Sequence, residues 1–287
     1  MATFTNQATL SYKGISVSSN VATGELISTL TATKTALTSS YTPGGELVYM
    51  VSLVNSGTSD LAALTVTDDL GAYEFGAQTL VPLSYTVGSI KYFVNGILQP
   101  DPTVTAAEPL TVSGIEVPAG GTSMLVYAAA VNSFAPPEMG GSITNTVTVS
   151  GALTDTVTAS ETVTAAAESV LDIAKSVSPT TVSENGEVTY TFVITNGGGA
   201  EAGAGDNISL SDTFSPILTD IAVSVGGAPM EKNIDYTYDE ASGLFVTVPG
   251  SITVPAAAFT QDETSGEWSC EPGSVTITVS GIIRAEA

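Results

Sequence analysis

Residues 44–57 read GGELVYMVSLVNSG, and residues 185–198 read NGEVTYTFVITNGG. Each segment runs from a glycine turn through a period-two pattern to an asparagine and a second turn, which predicts a β-strand between two turns. Glu46 and Glu187 lie 141 residues apart, and Asn55 and Asn196 have the same separation. The chain is therefore predicted to contain two copies of one β-rich domain.

Residues around these segments repeat in the same order. Lys34 and Lys175 precede them by the same distance, and Asp68 and Asp212 follow them, with a small insertion in the second copy. About seven to nine short strands per copy, separated by Gly, Pro, Asn and Asp turns, favour a Greek-key β-sandwich of the immunoglobulin type. We predict an all-β fold with two tandem sandwiches.

The two copies differ at their ends. In the first copy, Ile143–Thr164 reads as a closing β-hairpin, whereas the second copy continues only to residue 287 after its last predicted strand. A matching hairpin occurs at the N-terminus, where TNQATL at residues 5–10 corresponds to TNTVTV at residues 144–149. The predicted domains are an N-terminal donor hairpin at 1–26, a first sandwich at 27–167, and a second sandwich at 168–287 that lacks its final hairpin.

Composition excludes several classes of protein. The 287 residues include 29 acidic and 6 basic residues, a single Cys and no His, and the net charge is −23. This charge argues against binding to nucleic acid or to an anionic membrane. One Cys and no His argue against a disulfide framework and a zinc site, so no metal and no cofactor are predicted. No apolar run suggests membrane insertion, and the first residues lack a signal-peptide pattern, so the export route is left open.

The displaced hairpin has two alternative partners. A sandwich without its last hairpin exposes an apolar groove and an unpaired strand edge. The hairpin could fold back within one chain and give a closed monomer. It could instead enter the next subunit and give a head-to-tail filament by β-strand complementation. The short connection through Gly24–Leu26 favours the filament. The donor face is predicted to carry Phe4, Asn6, Ala8, Leu10 and Tyr12.

Several polar side chains are predicted to face the sandwich interior. Strand alternation places Lys34 on the same face as Leu30 and Ala32, and the repeat places Lys175 likewise. Strand alternation also predicts that four further polar side chains face the interior: Asp68, Asp212, Asn145 and Asn6. A buried Lys–Asp ion pair bonded to an amide would satisfy this pattern.

The motif order resembles the DUF11 family of bacterial surface repeats. The matching positions are Lys34, Gly45–Gly57, Val66–Asp68 and Thr144–Val149, then Lys175, Gly186–Gly198 and Leu210–Asp212. The resemblance implies a β-sandwich at a cell surface and names no single activity.

The inward Lys, Asp and Asn also resemble the residues of isopeptide-forming domains in bacterial adhesins and pili. That resemblance implies a Lys34–Asn145 cross-link within one subunit and a Lys175–Asn6 cross-link between subunits. Asp68 and Asp212 would be the catalytic acids. Burial would favour the neutral amine and the protonated carboxyl that such chemistry requires.

Together these patterns predict a structural subunit of an extracellular bacterial filament at a cell or spore surface. The partner is the protein itself as a homopolymer, with a host or neighbouring-cell surface as a further partner. No enzyme activity is predicted beyond single-turnover isopeptide formation. The alternative is a monomeric adhesion or carbohydrate-binding module.

Overall fold

The computed structural model describes residues 2–151 and 156–284 and is nearly all β-strand. One short 3-10 helix, Ala204–Asp206, interrupts the strands. Within these two ranges, no helix has the length and apolar character needed to cross a bilayer. The fold class is therefore all-β, as the alternation of the sequence predicts.

The N-terminal segment forms a long two-stranded hairpin. Its outer part pairs β1 with β4, and its inner part pairs β2 with β3 around the Lys13–Gly14 turn. The register shifts by one residue between the two parts, because Asn20 and Val21 both lie opposite Gln7. In the described part of the chain, these strands pair only with each other. The strands are β1 (Ala2–Asn6), β2 (Thr9–Tyr12), β3 (Ile15–Ser18) and β4 (Ala22–Leu26).

The next strands complete the first compact unit, here called unit 1, to which the hairpin also belongs. They are β5 (Leu30–Ala36), β6 (Ser40–Tyr41), β7 (Glu46–Asn55), β8 (Leu61–Asp68), β9 (Tyr73–Phe75), β10 (Gln78–Leu80), β11 (Leu83–Tyr85), β12 (Lys91–Val94), β13 (Ile97–Leu98), β14 (Thr103–Ala107), β15 (Leu110–Val117), β16 (Thr122–Val131), β17 (Ser142–Ser150) and β18 (Val157–Ala165). One sheet has the order β13-β12-β16-β7-β5, with β11 also on β16, and the other has the order β14-β15-β8-β17-β18-β6.

Strand alternation supplies the core of unit 1. Along β7, Leu47, Tyr49, Val51 and Leu53 are buried while the residues between them are more exposed. The strand β17 follows the same rule and buries Asn145 among its apolar neighbours. The period-two pattern thus places both apolar and selected polar side chains in the interior.

The remaining strands form the second compact unit, unit 2. They are β19 (Leu171–Ser178), β20 (Glu187–Asn196), β21 (Ser211–Thr213), β22 (Leu218–Val225), β23 (Ala228–Pro229), β24 (Tyr236–Asp239), β25 (Leu244–Thr247), β26 (Ala258–Gln261), β27 (Trp268–Glu271) and β28 (Gly273–Ile283). A five-stranded sheet has the order β19-β20-β28-β22-β23, a three-stranded sheet has the order β21-β25-β24, and β26 pairs with β27.

Unit 2 differs from unit 1 at one sheet edge. In unit 1, β8 pairs with β15 on one side and with β17 on the other. Its counterpart β21 pairs with β25, and no strand within the described ranges pairs with its other edge. None of the described residues thus occupies, in unit 2, the positions that β17 and β18 occupy in unit 1.

A buried asparagine fixes the same turn in both units. Asn55 Nδ2 donates to the carbonyl oxygens of Ser59, Val117 and Pro118, and its Oδ1 accepts from the Gly57 amide. In unit 2, Asn196 likewise bonds to two carbonyl oxygens and two amides around its own turn. The end of the predicted motif is thus a structural anchor.

Replacing Asn55 by Ala is expected to lower the free energy of unfolding by about 2–3 kcal/mol, because buried carbonyl and amide groups lose their partners. Chemical denaturation followed by tyrosine fluorescence would measure the loss. Asn20→Ala is the control, since Asn20 is exposed on the N-terminal hairpin and its loss should change stability by less than about 0.5 kcal/mol. Equal effects of the two changes would contradict the anchoring role.

Candidate functional site

Unit 1 contains a buried polar cluster that spans both sheets. Lys34 Nζ donates to Asp68 Oδ2, and Tyr127 Oη donates to the same oxygen. Asn145 Nδ2 donates to Tyr127 Oη at 3.3 Å. Lys34, Asp68 and Asn145 are all buried. The structure thus brings together the three residues that alternation turned inward and adds Tyr127 between them.

Aromatic rings surround the Lys34 ammonium. Its Nζ lies 4.9 Å from the centre of the Tyr49 ring and 5.9 Å from that of Tyr127. Burial lowers the pKa of the Lys34 amine below its ordinary value, because desolvation outweighs the attraction of Asp68. Burial also raises the pKa of Tyr127 well above its ordinary value, and the Asp68 charge adds to this rise. The cluster therefore favours a neutral phenol and makes the amine easier to deprotonate.

Tyr127 is the member of the cluster that the sequence analysis missed. It follows Leu125 on β16 by two residues, so alternation alone would have turned it inward. The aligned repeat places Val279 at this position, so a comparison of polar residues shared by the two copies does not select it.

The unit 1 cluster permits two chemical outcomes. As it stands, the Lys34–Asp68 ion pair is a satisfied buried pair. The amide of Asn145 is connected to the same carboxylate through Tyr127, while Asn145 Oδ1 accepts no hydrogen bond from the residues described. An amine, a carboxyl group and an amide therefore share one desolvated site, and these are the types of group that amide exchange uses.

Unit 2 has the same ion pair in a different environment. Lys175 Nζ donates to Asp212 Oδ2 and lies 4.8 Å from the centre of the Tyr190 ring and 5.6 Å from that of Phe214. The side chains of Lys175 and Asp212 are 42% and 19% exposed, whereas those of Lys34 and Asp68 are 0% and 2% exposed. The pair is formed in both units but covered only in unit 1.

The exposure of Lys175 extends along the whole inner face of β19. Leu171 is 40% exposed and Ile173 is 50% exposed, while Leu30 at the first position of β5 is 3% exposed. In unit 1 this face is covered by the sheet that contains β17 and β18. We call the uncovered surface the acceptor groove, and its residues are Leu171, Ile173, Lys175 and Val177 of β19 together with Asp212 of β21.

The N-terminal hairpin has one apolar face and one polar face. On the polar face, the Ser11 and Ser16 hydroxyls bond to each other across the strands. The exposed face of β17 and β18 carries the same kind of pairs, with Thr144 bonded to Thr162 and Thr146 bonded to Ser160. The apolar face is exposed in the hairpin and includes Phe4, Leu10, Tyr12, Ile15 and Val17.

The remaining donor positions lie on the same hairpin. Asn6 pairs with Ala22 in the β1–β4 ladder, and both Asn6 and Ala8 are exposed. By strand alternation, Asn6 and Ala8 share the face of Phe4 and Leu10. Among the residues that the structure describes, both the apolar face of the hairpin and the acceptor groove are thus uncovered.

Comparisons with known proteins give structural likenesses only. No protein-family model and no curated protein matches the chain. The chain is similar to a collagen-binding domain from a Staphylococcus aureus adhesin, with 10% identity over 46% of this chain and 95% of that one, at a TM-score of 0.30. It is similar to the pilus backbone protein RrgB of Streptococcus pneumoniae, with 13% identity over 85% of this chain and 55% of that one, at a TM-score of 0.34.

A third likeness is to BcpA, the major pilin subunit of Bacillus cereus. The identity is 13% over 94% of this chain and 73% of that one, at a TM-score of 0.34. At these identities the likenesses concern the fold alone.

Proposed function

We propose that this protein is the structural subunit of an extracellular bacterial filament, in which the N-terminal hairpin of one subunit fills the acceptor groove of the next. The proposal rests on two complementary exposed surfaces in one chain. The hairpin exposes an apolar face, and unit 2 exposes an apolar groove beside an unpaired strand edge. Each surface is an aggregation hazard by itself, and each can cover the other.

Unit 1 supplies the template for the docked register. There Val147 of β17 pairs with Asp68 of β8. The repeat alignment places Ala8 at the position of Val147 and Asp212 at that of Asp68. Docking in this register brings Asn6 towards Lys175, in the place that Asn145 has in unit 1, where Tyr127 links it to Asp68.

The apolar surface is large enough to support association. Phe4, Leu10, Ile15 and Val17 are exposed in the subunit and would contribute about 1.5–3 kcal/mol each on burial. The groove residues Leu171 and Ile173 would add to this term. Association costs about 4–15 kcal/mol, so hairpin burial together with ladder hydrogen bonds can offset it. Because donor and acceptor are different surfaces, the contact is heterologous and propagates head to tail.

The two lysine clusters would allow this assembly to become covalent. A proton passes from the Lys34 ammonium to Asp68, and the neutral amine attacks Cγ of Asn145. The Nζ–Cγ bond forms while the Cγ–Nδ2 bond breaks, and Nδ2 leaves as ammonia with protons supplied through Asp68. In a filament, Lys175, Asp212 and Asn6 of the next subunit would react in the same way.

Intact-mass spectrometry tests the covalent step. A Lys34–Asn145 bond should lower the subunit mass by one ammonia, and Asn145→Ala should show no such loss. Cross-links through Asn6 should give a ladder of bands on denaturing gels after boiling, and Asn6→Ala should remove it. An unmodified mass together with a single monomer band would exclude both bonds and leave non-covalent docking as the mode of assembly.

Negative-stain microscopy and size-exclusion chromatography test the filament itself. The purified subunit should form unbranched fibres whose length increases with protein concentration. A strictly monomeric protein at all concentrations would overturn the proposal. That result would instead favour a monomeric adhesion or carbohydrate-binding module.

A further inference from the structure

Two positions of the proposed interface exchange a large and a small side chain between the units. At the third position of β5, unit 1 has Ala32, and the aligned position of β19 in unit 2 is Ile173. In the hairpins the order is reversed, because β17 has Val147 where the N-terminal hairpin has Ala8. Unit 1 therefore combines a small residue on β5, Ala32, with a large hairpin residue, Val147. The proposed interface combines a large residue on β19, Ile173, with a small hairpin residue, Ala8.

The contacts of unit 1 place Ala32 and Val147 in the same part of the sandwich interior. Lys34 reaches Asp68, which pairs with Val147, so the middle of β5 faces this part of β17. Two residues further along β17, Val149 pairs with Val66 of β8.

The other end of β5 fixes its direction. Leu30 pairs with Asn55, and Asn55 Nδ2 donates to Val117, which pairs with Leu61 at the start of β8. Since β17 is antiparallel to β8, the end of β17 lies at this same edge. Ala32, which lies between Leu30 and Lys34, therefore faces the stretch of β17 from Val147 to Val149.

We propose that Ala8 and Ile173 form a size-complementary pair that selects which hairpin enters the acceptor groove. The occupant is the N-terminal hairpin of a second copy of this chain, and hairpins with a larger residue at this position are excluded. The inference rests on the proposed function and adds the residue pair that determines its specificity. A valine at position 8 would place two extra methyl groups against Ile173, in a sandwich interior that packs without voids.

A second exchange in the hairpin follows the same rule. Ile143 pairs with Val163 in unit 1, and the aligned pair in the hairpin is Phe4 with Gly24. A Cβ atom at Gly24 would lie 2.3 Å from the Phe4 ring, so the ring covers the glycine backbone. Compared with the β17–β18 hairpin, the donor hairpin thus has a larger residue on one strand and a smaller one opposite it, and its face stays apolar.

The test is a double-mutant cycle in the full-length chain with fibre assembly as the readout. Ala8→Val should raise the critical concentration, measured by sedimentation, by about 10-fold or more, since overpacking a core is strongly unfavourable. Ile173→Ala alone should also raise it, because it leaves a cavity in the filled groove. The double variant Ala8→Val with Ile173→Ala recreates the combination of unit 1 and should return the critical concentration to within about 3-fold of the wild type.

Thr9→Val is the matched control, because Thr9 lies on the polar face of the hairpin and should leave assembly unchanged. Ala8 is exposed in the subunit, so none of the hairpin variants should alter its thermal unfolding. If Ala8→Val assembles like the wild type, or if the double variant is not rescued, the pair does not determine specificity. If the wild type itself forms no fibres, the proposed function fails instead.

Discussion

Deletion of residues 2–24 is expected to abolish fibre formation completely and to leave a folded subunit. The deleted strands pair only with each other among the described residues, so neither sheet of unit 1 or unit 2 loses a ladder. The apolar side chains removed are exposed in the subunit and support no core. The thermal unfolding of the two units should therefore match that of the intact chain, while microscopy and sedimentation show no polymer.

The truncated chain also provides a stricter test when it is mixed with the intact chain. It keeps the acceptor groove but has no donor hairpin. It can therefore bind the free hairpin at one end of a growing fibre, but it offers no hairpin to the next subunit, and growth at that end stops. Substoichiometric amounts should shorten the fibres in proportion to the amount added. Fibres formed by the truncated chain alone would show that another surface drives assembly.

In the Asn145→Ala background, which cannot form the proposed Lys34–Asn145 bond, replacement of Lys34 by Met is expected to lower the free energy of unfolding of unit 1 by about 3–5 kcal/mol. The change leaves Asp68 as a buried carboxylate without its cation, and breaking a buried pair in this way costs about that much. A double variant, Lys34→Met with Asp68→Leu, should recover most of the loss, because removing both charges removes the uncompensated one. Chemical denaturation of the three proteins at one pH would measure the series.

The same change in unit 2 supplies the control. Lys175 pairs with Asp212 as Lys34 pairs with Asp68, but 42% of the Lys175 side chain is exposed in the free subunit. Solvent screens an exposed pair, so Lys175→Met should cost less than about 1 kcal/mol. In protein kept below the concentration at which fibres form, a loss at Lys175 as large as that at Lys34 would mean that the groove is covered within one chain, as in a closed monomer.

Much of the fold could be predicted because the sequence repeats. The spacing of Lys34, Glu46 and Asn55 recurs in the second copy, and a repeated motif with period-two alternation indicates one strand arrangement used twice. Alternation also turned Lys34, Asp68 and Asn145 inward, since only two faces exist for a strand residue. The structure buries all three.

What alternation could not provide was the neighbourhood of each inward residue. Alternation shows which face of the sheet a side chain lies on, but the strands that pack over that face depend on the strand order of the whole domain. Lys34 and Lys175 therefore have the same sequence pattern and differ greatly in exposure. Tyr127 connects Asp68 with Asn145 through a contact across the sandwich that no local spacing encodes.

The composition of one segment does not indicate its structure. Residues 261–271 have the polar composition of a loop, yet Trp268–Glu271 is a strand paired with Ala258–Gln261. Asp262 closes the turn by accepting hydrogen bonds from the Thr264 and Ser265 amides. The turn chemistry of Asp262 therefore outweighed the polar composition that suggested a loop.

The positions at which the chain joins and leaves unit 1 determine how a filament would respond to tension. The first strand of the unit begins at Leu30, and its last strand ends beside Ser39, to which the Thr164 amide donates a hydrogen bond. These two points lie at opposite ends of β5, and a strand rises by roughly 3.3 Å per residue, so the length of the strand separates them. A stretching force would therefore act along the strands and load their ladder hydrogen bonds together in shear, rather than breaking them one after another by peeling. The proposed filament should accordingly resist pulling far better than the modest strength of any single hydrogen bond suggests.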